Sequence, residues 1–304
     1  MPRRCTLLAA GAALVFALAA ASAATGTGTA ATGARKQRLM KLHSARTFAL
    51  ALGVDLRRRA LARRLAAYDL VVVDGEDTPA RALRYLRRRG ALVLGYLSVG
   101  TVEPDRFWTK RARRYALAPV PGWPERYADV ARSGYRKLLV GAVAPRLLAR
   151  GFDGLFLDNV DVVESYPRLA RPMRQLVADI ARLVWRRGKL LAAQNADDFT
   201  RRYLLRWLDA WNREDVSWRY DFERRAYAPT AASEHARALA TVRRLRANGL
   251  VVTVTDYPPP GDSSAAQTAV QAACSAGALP WISDIALRTL PATPTRCAAT
   301  EKAR

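Results

Sequence analysis

The sequence is poor in the residues that build disulfide frameworks and metal sites. Its 304 residues include three cysteines and only two histidines, His43 and His235. Three cysteines are too few for a disulfide scaffold in a chain of this length. Two histidines leave almost no donors for a histidine-rich metal site. We therefore expect no metal centre and no cofactor.

Long apolar runs are also scarce, and the most prominent one lies at the N-terminus. Arg3 and Arg4 precede the apolar stretch Thr6–Ala20, and Ala21-Ser22-Ala23 fits the cleavage pattern of a secretory signal peptide. We expect a signal peptide over residues 1–23, a secreted or cell-envelope-associated protein, and no transmembrane segment in the mature chain. The alternative is an uncleaved anchor, although the run is shorter than the ~20 residues that span a bilayer.

Removal of that segment would leave two cysteines, Cys274 and Cys297. In an oxidising compartment they can pair and pin the C-terminal tail to the last helix. The alternative is two free, buried thiols. Because the chain is expected to be exported, we favour the disulfide.

Acidic residues are few relative to basic ones. The chain has 26 Asp and Glu against 50 Lys and Arg, a net charge of +24, or +22 without Arg3 and Arg4. Such a charge attracts nucleic acids, anionic lipids and acidic polymers. However, the arginines are scattered over segments with helical periodicity, which is typical of solvated helix faces. Since no zinc-finger, homeodomain or RRM motif is present, we expect no nucleic-acid partner, but electrostatic association with an anionic cell envelope.

The remaining sequence alternates between strand-like and helical segments. It begins with an Ala/Thr/Gly-rich leader without apolar periodicity, which we expect to be flexible over residues 24–45. Eight apolar runs then predict strands: Thr47–Leu52, Asp69–Asp74, Ala91–Val99, Gly154–Asp158, Lys189–Asn195, Leu208–Arg213, Leu250–Tyr257 and Leu279–Ser283. Helical patterns between them cover Leu56–Ala67, Pro79–Arg89, Val140–Arg150, Met173–Arg187, Asp197–Leu205 and Ser233–Ala247.

This alternation predicts a parallel sheet covered on both faces. Eight such units predict a single-domain (β/α)8 TIM barrel over residues 46–292, followed by a C-terminal tail over 293–304. An open doubly wound sheet is the alternative. Such a sheet normally offers a glycine-rich phosphate loop after its first strand, and none is present.

Carboxylates, amides and aromatic residues follow the predicted strands at their C-terminal ends, where barrel enzymes hold their active sites. No histidine, cysteine or suitable hydroxyl nucleophile accompanies them. Paired carboxylates without other chemistry are typical of glycoside hydrolysis. Each carboxylate alone could instead cap a helix or form a salt bridge, but their recurrence on successive strands favours a site.

Competing motifs are weak. The segment around Ser98 lacks the G-x-S-x-G spacing of a nucleophile elbow, and His235 lies on a predicted helix among alanines. A Ser-His-Asp triad is therefore not indicated. Asp158 and Asp161 could hold Ca2+ or Mg2+, but no EF-hand spacing exists.

Two segments resemble a known family. YLSVGTVEPDRFW (Tyr96–Trp108) and GFDGLFLDNVD (Gly151–Asp161) are similar to glycoside hydrolase family 114, the endo-α-1,4-polygalactosaminidase family, a (β/α)8 barrel. The resemblance covers nearly the whole mature chain. It implies that Asp158 and Glu214 are the catalytic pair, with Asp158 as nucleophile or base and Glu214 as acid/base partner, or with these roles exchanged. It further implies substrate-binding positions at Asp74, Tyr96, Glu103, Arg106, Asn159, Asp161, Asn195, Asp256 and Tyr257.

The sequence departs from this pattern in places. The family often carries Glu directly after the strand-3 glycine, where this chain has Thr101, and a glycine-rich stretch before the strand-6 Glu is replaced by Trp211-Asn212-Arg213. Arg213 beside Glu214, like the high net charge, is unusual for a partner of a cationic galactosamine polymer. N-acetylated or anionic sugars would avoid that repulsion.

We therefore expect a secreted, monomeric glycoside hydrolase that is endo-acting on α-1,4-linked galactosamine or N-acetylgalactosamine polysaccharide. A catalytically silent barrel that binds anionic envelope polysaccharide is one alternative. Another barrel hydrolase or lyase acting on an acidic polymer is the other.

Overall fold

Eight parallel strands form one sheet that curls into a nearly closed barrel. The computed structural model describes residues 30–298, so that the expected signal peptide (1–23) lies outside the described residues. In hydrogen-bonded order the strands are β1 (Phe48–Leu50), β2 (Leu70–Asp74), β3 (Leu92–Ser98), β4 (Gly154–Asp158), β5 (Leu190–Gln194), β6 (Ala210–Glu214), β7 (Val251–Asp256) and β8 (Leu279–Ile282). β8 lies beside β1. The prediction of a single-domain (β/α)8 barrel is confirmed, and every predicted strand overlaps an observed one.

Helices cover the outside of the barrel. They are α1 (residues 30–44), α2 (Arg59–Leu65), α3 (Ala80–Arg88), α4 (Thr109–Ala112), α5 (Ser133–Leu138), α6 (Ala144–Ala149), α7 (Val162–Ser165), α8 (Ala170–Trp185), α9 (Asp197–Phe199), α10 (Ala232–Ala247) and α11 (Ser263–Ser275). A π-helical turn, Leu139–Val143, joins α5 to α6. The predicted helix over 140–150 therefore starts earlier, at Ser133.

Glycines follow several of these helices. Gly90, Gly151, Gly188 and Gly249 follow α3, α6, α8 and α10, and all four have positive φ. A left-handed residue stops a helix at low cost when it is glycine. At Gly188 a side chain would also collide with α1, because an added Cβ would lie 2.5 Å from the carbonyl oxygen of Ala31.

The prediction of a flexible leader over 24–45 is wrong for residues 30–44, which form α1. Arg38 donates to the Asp153 carboxylate at 3.1 Å and to the Gly188 carbonyl oxygen at 3.0 Å. Arg35 pairs with Asp209 and lies over the Trp185 ring. Residues three apart share one face of a helix, so charge contributes to anchoring α1 beside the buried Leu42, and a single buried leucine gives no apolar periodicity to detect.

Aspartates at the strand starts form the end of the barrel that α1 covers. Asp69, Asp153 and Asp209 each directly precede a strand, namely β2, β4 and β6. Their carboxylates accept backbone N–H groups of neighbouring strands, for example from Val93 at 3.2 Å and Leu191 at 2.8 Å. This end of a barrel serves stability, and the opposite end is free to carry chemistry.

Two hairpins rise from the opposite, C-terminal end, which we call the mouth. The β3 hairpin comprises Ala116–Pro119 and Arg126–Ala128, and the β6 hairpin comprises Trp218–Asp221 and Ala226–Pro229. Their tips touch through Trp123 and Phe222, whose ring centroids are 5.4 Å apart. Because β4 and β5 lie between β3 and β6 in the sheet, this contact spans the mouth above those two strands.

The last helix is joined to the C-terminal tail. Cys274, near the end of α11, and Cys297 form a disulfide with Cα atoms 5.4 Å apart. Within residues 30–298, no helix is both long and apolar enough to span a membrane.

Candidate active site

Asp158 ends β4 at the mouth and is oriented by three donors. The Tyr96 hydroxyl donates to Oδ2 at 2.8 Å, the Gln194 amide donates to Oδ1 at 2.6 Å, and the Asn159 backbone N–H donates to the same oxygen at 2.6 Å. Burial raises the pKa of Asp158, whereas these hydrogen bonds act against that rise because they stabilise the anion. The result is a carboxylate with both oxygens fixed.

Glu214 ends β6 and is held in a similar way. Asn195 donates to Oε2 at 2.9 Å, and the Tyr257 hydroxyl donates to Oε1. Burial raises the pKa of Glu214 to about 7, and the charges of Asp158 and Asp215 contribute to that rise. A carboxyl with such a pKa carries a proton near neutral pH, which is the requirement for a general acid.

Asp161 belongs to the same group of carboxyls. Burial raises its pKa to about 7, and the charges of Asp158, Glu164 and Glu214 add to the rise. Three carboxyls that influence one another share fewer than three negative charges at neutral pH. The mouth between β4 and β6 is therefore acidic and partly protonated.

Arg106 neutralises the carboxylates on the neighbouring side of the mouth. It donates to Asp74 Oδ2 at 2.7 Å and to Glu103 at 2.8 and 3.1 Å, and its guanidinium lies over the Tyr96 ring at 6.0 Å. Burial raises the pKa of Glu103, and Arg106 opposes that rise. Asp74 also accepts the backbone N–H groups of Glu76 and Asp77, both at 2.7 Å. Arg106 thus links Asp74 and Glu103 to the Tyr96 ring, whose hydroxyl contacts Asp158.

A buried chain of polar side chains supports Asp158 from within the barrel. Thr253 and Thr255 on β7 donate to Asn212 Oδ1 at 2.7 and 3.2 Å, and Asn212 donates to Gln194 Oε1 at 3.0 Å. Gln194 then donates to Asp158. Each amide is thereby fixed with its nitrogen towards the carboxylate. Gln194 lies within the predicted strand 189–195, but the sequence alone does not predict this series of buried hydrogen bonds.

The loops that carry the amides have unusual backbone conformations. Asn159 has φ 58° and Asn195 has φ 57°, in the left-handed region that asparagine tolerates better than most residues. Gly100 contacts the first of these loops so closely that an added Cβ would lie 1.7 Å from the carbonyl oxygen of Asn159. Directly after the strands, these backbones let Asn159 donate to Ser98 at 3.0 Å and Asn195 donate to Glu214 at 2.9 Å.

Two residues lie elsewhere than the sequence suggests. Asp256 is fully buried, and its carboxylate accepts the backbone N–H groups of Ser217 at 2.6 Å and Trp218 at 2.9 Å. It therefore shapes the loop after Glu214 and is out of reach of a substrate. Arg213 pairs with Asp197 at 2.8 Å in a pocket of about 240 Å³ that Asp215 also lines. Because side chains alternate along a strand, Arg213 points away from the site that Glu214 faces.

Glu125 is a site residue that the sequence did not reveal. It precedes the second strand of the β3 hairpin, and its carboxylate accepts a hydrogen bond of 2.7 Å from Thr101. Burial raises its pKa to about 7, with further contributions from Glu103 and Asp158. No strand-end pattern points to it, because a hairpin delivers it to the mouth.

The structure does not assemble the two competing sites considered from the sequence, a serine–histidine pair and a metal site, within the described residues. Ser98 bonds to Thr101 and Asn159, whereas His235 bonds to the carbonyl oxygen of Val216, so the two do not form a dyad. Within the described residues, no group of three or more His, Cys, Asp or Glu side chains is placed to hold a metal ion.

An eight-stranded barrel with two oriented carboxyls at its mouth, on β4 and β6, fits the barrel glycoside hydrolases, which use a pair of carboxyls. The model of glycoside hydrolase family GH114 matches residues 29–300, and the chain belongs to that family. It is accordingly a glycoside hydrolase.

Relatives and solved structures are similar to this chain over most of its length. An uncharacterised protein of Deinococcus radiodurans is 25% identical over 239 residues, 73% of this chain and 75% of that protein. The glycoside hydrolase domain of PelA from Pseudomonas aeruginosa has the same fold, with a TM-score of 0.69 at 23% identity, over 83% of this chain and 98% of that domain. Ega3 of Aspergillus fumigatus, solved in complex with galactosamine, gives a TM-score of 0.66 at 17% identity, over 83% of this chain and 95% of that one.

Proposed function

We propose that the protein is a secreted hydrolase that cleaves α-1,4-linked galactosamine polysaccharide within the chain, with Glu214 as general acid and Asp158 as nucleophile or base. The observation that carries this assignment is the difference between the two carboxyls. Burial raises the pKa of both, but Asp158 accepts three hydrogen bonds that oppose the rise, whereas Glu214 accepts two and also faces the charges of Asp158 and Asp215, which add to the rise. Two carboxyls whose environments differ in this way divide the roles of base and acid.

In the proposed reaction Glu214 gives its proton to the glycosidic oxygen as the bond to the anomeric carbon breaks. Asp158 either attacks that carbon or removes a proton from the water that does so. In the first case water then releases the sugar, and Glu214 takes the proton of that water. Asn195 and Tyr257 keep the Glu214 carboxyl directed at the mouth throughout.

The charge distribution at the mouth supports an amino sugar with free amines. The carboxyls of Asp158, Asp161, Glu214 and Glu125 lie there, whereas Arg106 is taken up by Asp74 and Glu103. Arg213, which raised an objection to a cationic polymer, pairs with Asp197 on the other side of β6. The galactosamine bound to Ega3 is of the same chemical class. The arginine-rich surface would instead associate with an anionic envelope.

Secretion is part of the proposal. It rests on the signal-peptide pattern of residues 1–23 and on the Cys274–Cys297 disulfide, since disulfides persist mainly in oxidising compartments.

The test measures new reducing ends on partly deacetylated α-1,4-galactosaminan. We expect activity in the parent protein and its loss in Asp158→Asn and Glu214→Gln. Both variants should still show a cooperative thermal unfolding transition, which shows that they are folded. Asp179→Asn on α8 and exposed Glu223→Gln are the controls, and they should retain activity. Polymer binding without cleavage in the parent would favour the silent binding barrel. Activity that survives both substitutions would refute the assigned pair.

A further inference from the structure

Glu125 reaches the mouth from outside the barrel strands, and the proposed reaction steps do not use it. Thr101 donates to Glu125 Oε2 at 2.7 Å, and the Thr101 and Ser98 hydroxyls are 2.6 Å apart. Asn159, next to Asp158, donates to Ser98 at 3.0 Å. A continuous set of hydrogen bonds therefore fixes Glu125 relative to Asn159, the residue that follows Asp158.

Glu125 differs from Glu103, the other carboxylate on this side of the mouth, because no cation among the described residues forms an ion pair with it, although the charge of Arg106 acts on it. Glu103 is paired with Arg106 at 2.8 Å. In the part of the chain that the structure describes, no lysine or arginine forms an ion pair with Glu125, and Thr101 is the one side chain that donates to it. A largely buried carboxylate with a single neutral donor is poorly compensated. A cationic ligand group would complete its environment.

The β3 hairpin keeps this carboxylate in place and accessible. Trp123, two residues earlier, contacts Phe222 of the β6 hairpin, and Val120 donates to the Glu125 carbonyl oxygen at 2.9 Å. The Glu125 side chain remains partly exposed. It can therefore meet a ligand at the mouth without movement of the strands.

We propose that Glu125 is a specificity-determining residue that binds the ammonium group of a deacetylated galactosamine unit next to the unit being cleaved. This inference rests on the proposed function. An ammonium offers three charged donors, and a carboxylate accepts such donors more strongly than neutral ones. An N-acetylated unit presents a neutral amide in the same place and gains nothing from the charge. Glu125 thus selects for free amines, whereas Asp158 and Glu214 perform the chemistry.

The experiment compares fully deacetylated and fully N-acetylated α-1,4-linked oligomers as substrates of the full protein. Glu125→Gln keeps the size of the side chain and the acceptor for Thr101, but it removes the charge. We expect its KM for the deacetylated oligomer to rise ~10-fold, in line with the loss of a charge-assisted hydrogen bond, with kcat within about twofold. KM for the N-acetylated oligomer should not change. Glu125→Asp retains the charge and should recover part of the preference, and Glu223→Gln should behave like the parent.

Calorimetric binding of both oligomers, in a Glu214→Gln background with and without Glu125→Gln, separates this inference from the proposed function. If the parent binds the deacetylated oligomer but cleaves neither oligomer, the proposed hydrolytic activity is refuted. In that case, weaker binding of the deacetylated oligomer by Glu125→Gln would still support the role of Glu125. Equal effects of Glu125→Gln on both oligomers would show a structural role and overturn it. So would no effect on either oligomer, or no binding of the deacetylated oligomer by the parent.

Discussion

The Tyr96 hydroxyl donates a hydrogen bond of 2.8 Å to Oδ2 of Asp158. These residues lie on neighbouring strands, β3 and β4, and Asp158 is in register with Ser98, two residues beyond Tyr96. Burial keeps the pKa of Tyr96 well above its usual value, so that its hydroxyl stays a donor at any pH at which the protein works. This contact ties the Asp74–Arg106–Glu103 group to the proposed nucleophile or base.

Tyr96→Phe should move the acidic limb of the pH profile to higher pH. The hydroxyl stabilises the Asp158 anion, so its loss raises the Asp158 pKa, and the reactive anion then forms at higher pH. A shift of ~1 unit corresponds to the typical strength of such a hydrogen bond. The measurement is kcat/KM against pH, with exposed Tyr203→Phe as control. An acidic limb that stays in place would show that Tyr96 does not act on Asp158.

Asp215→Asn should move the alkaline limb to lower pH. The pKa of Glu214 is raised to about 7, in part by the charge of Asp215. Without that charge Glu214 loses its proton more readily, and activity that depends on the protonated form declines at lower pH. We expect a shift of ~0.5 unit. Asp179→Asn is the control, and a shift in the opposite direction would contradict the role of Glu214 as acid.

Asn212→Ala should destabilise the protein by ~2–4 kcal/mol. Asn212 is fully buried, and its truncation removes the acceptor of the Thr253 and Thr255 hydroxyls and the donor to Gln194 Oε1. Unpaired buried polar groups cost about 1–3 kcal/mol each, before any cavity is counted. The measurement is urea unfolding against exposed Asn248→Ala. Equal midpoints for the two variants would mean that the buried chain contributes nothing.

Arg38→Ala should lower the free energy of unfolding by ~1–3 kcal/mol, because the half-buried guanidinium bonds both to Asp153 and to the Gly188 carbonyl oxygen. Exposed Arg84 on α3 is the matched control, since Arg84→Ala removes the same charge without these contacts. Protease cleavage within residues 30–44 should also become faster for Arg38→Ala. If neither the cleavage rate nor the free energy of unfolding changes in Arg38→Ala, the contacts of Arg38 with Asp153 and Gly188 do not hold α1 in place.

The sequence predicts the barrel well because buried parallel strands are nearly continuous apolar runs. Gly154–Asp158 was predicted residue for residue, and this strand carries Asp158. Strand ends also identify the carboxyls of β4 and β6. The alternation of side chains along β6 explains why Arg213 points away from the site. Asn212 and Glu214, its neighbours on the strand, point to the opposite face of the sheet.

Long-range partners explain what the sequence could not predict. α1 is anchored by Asp153 and Asp209, which are more than 100 residues away. Glu125 reaches the mouth through a hairpin whose course no local pattern gives. Asp256 has the same strand-end position as Asp158, but it is fully buried and its Oδ1 accepts two backbone N–H groups from the loop between β6 and its hairpin. In each case the decisive contact is tertiary.

The most direct test uses an activated substrate. A dinitrophenyl α-glycoside of a galactosamine oligomer has a leaving group that departs without protonation, so an enzyme lacking its acid can still cleave it. We predict that Glu214→Gln is inactive on the polymer but recovers the first bond cleavage on this substrate, seen as dinitrophenolate release, while Asp158→Asn stays inactive on both. Recovery in Asp158→Asn, with none in Glu214→Gln, would contradict the assignment of Glu214 as acid.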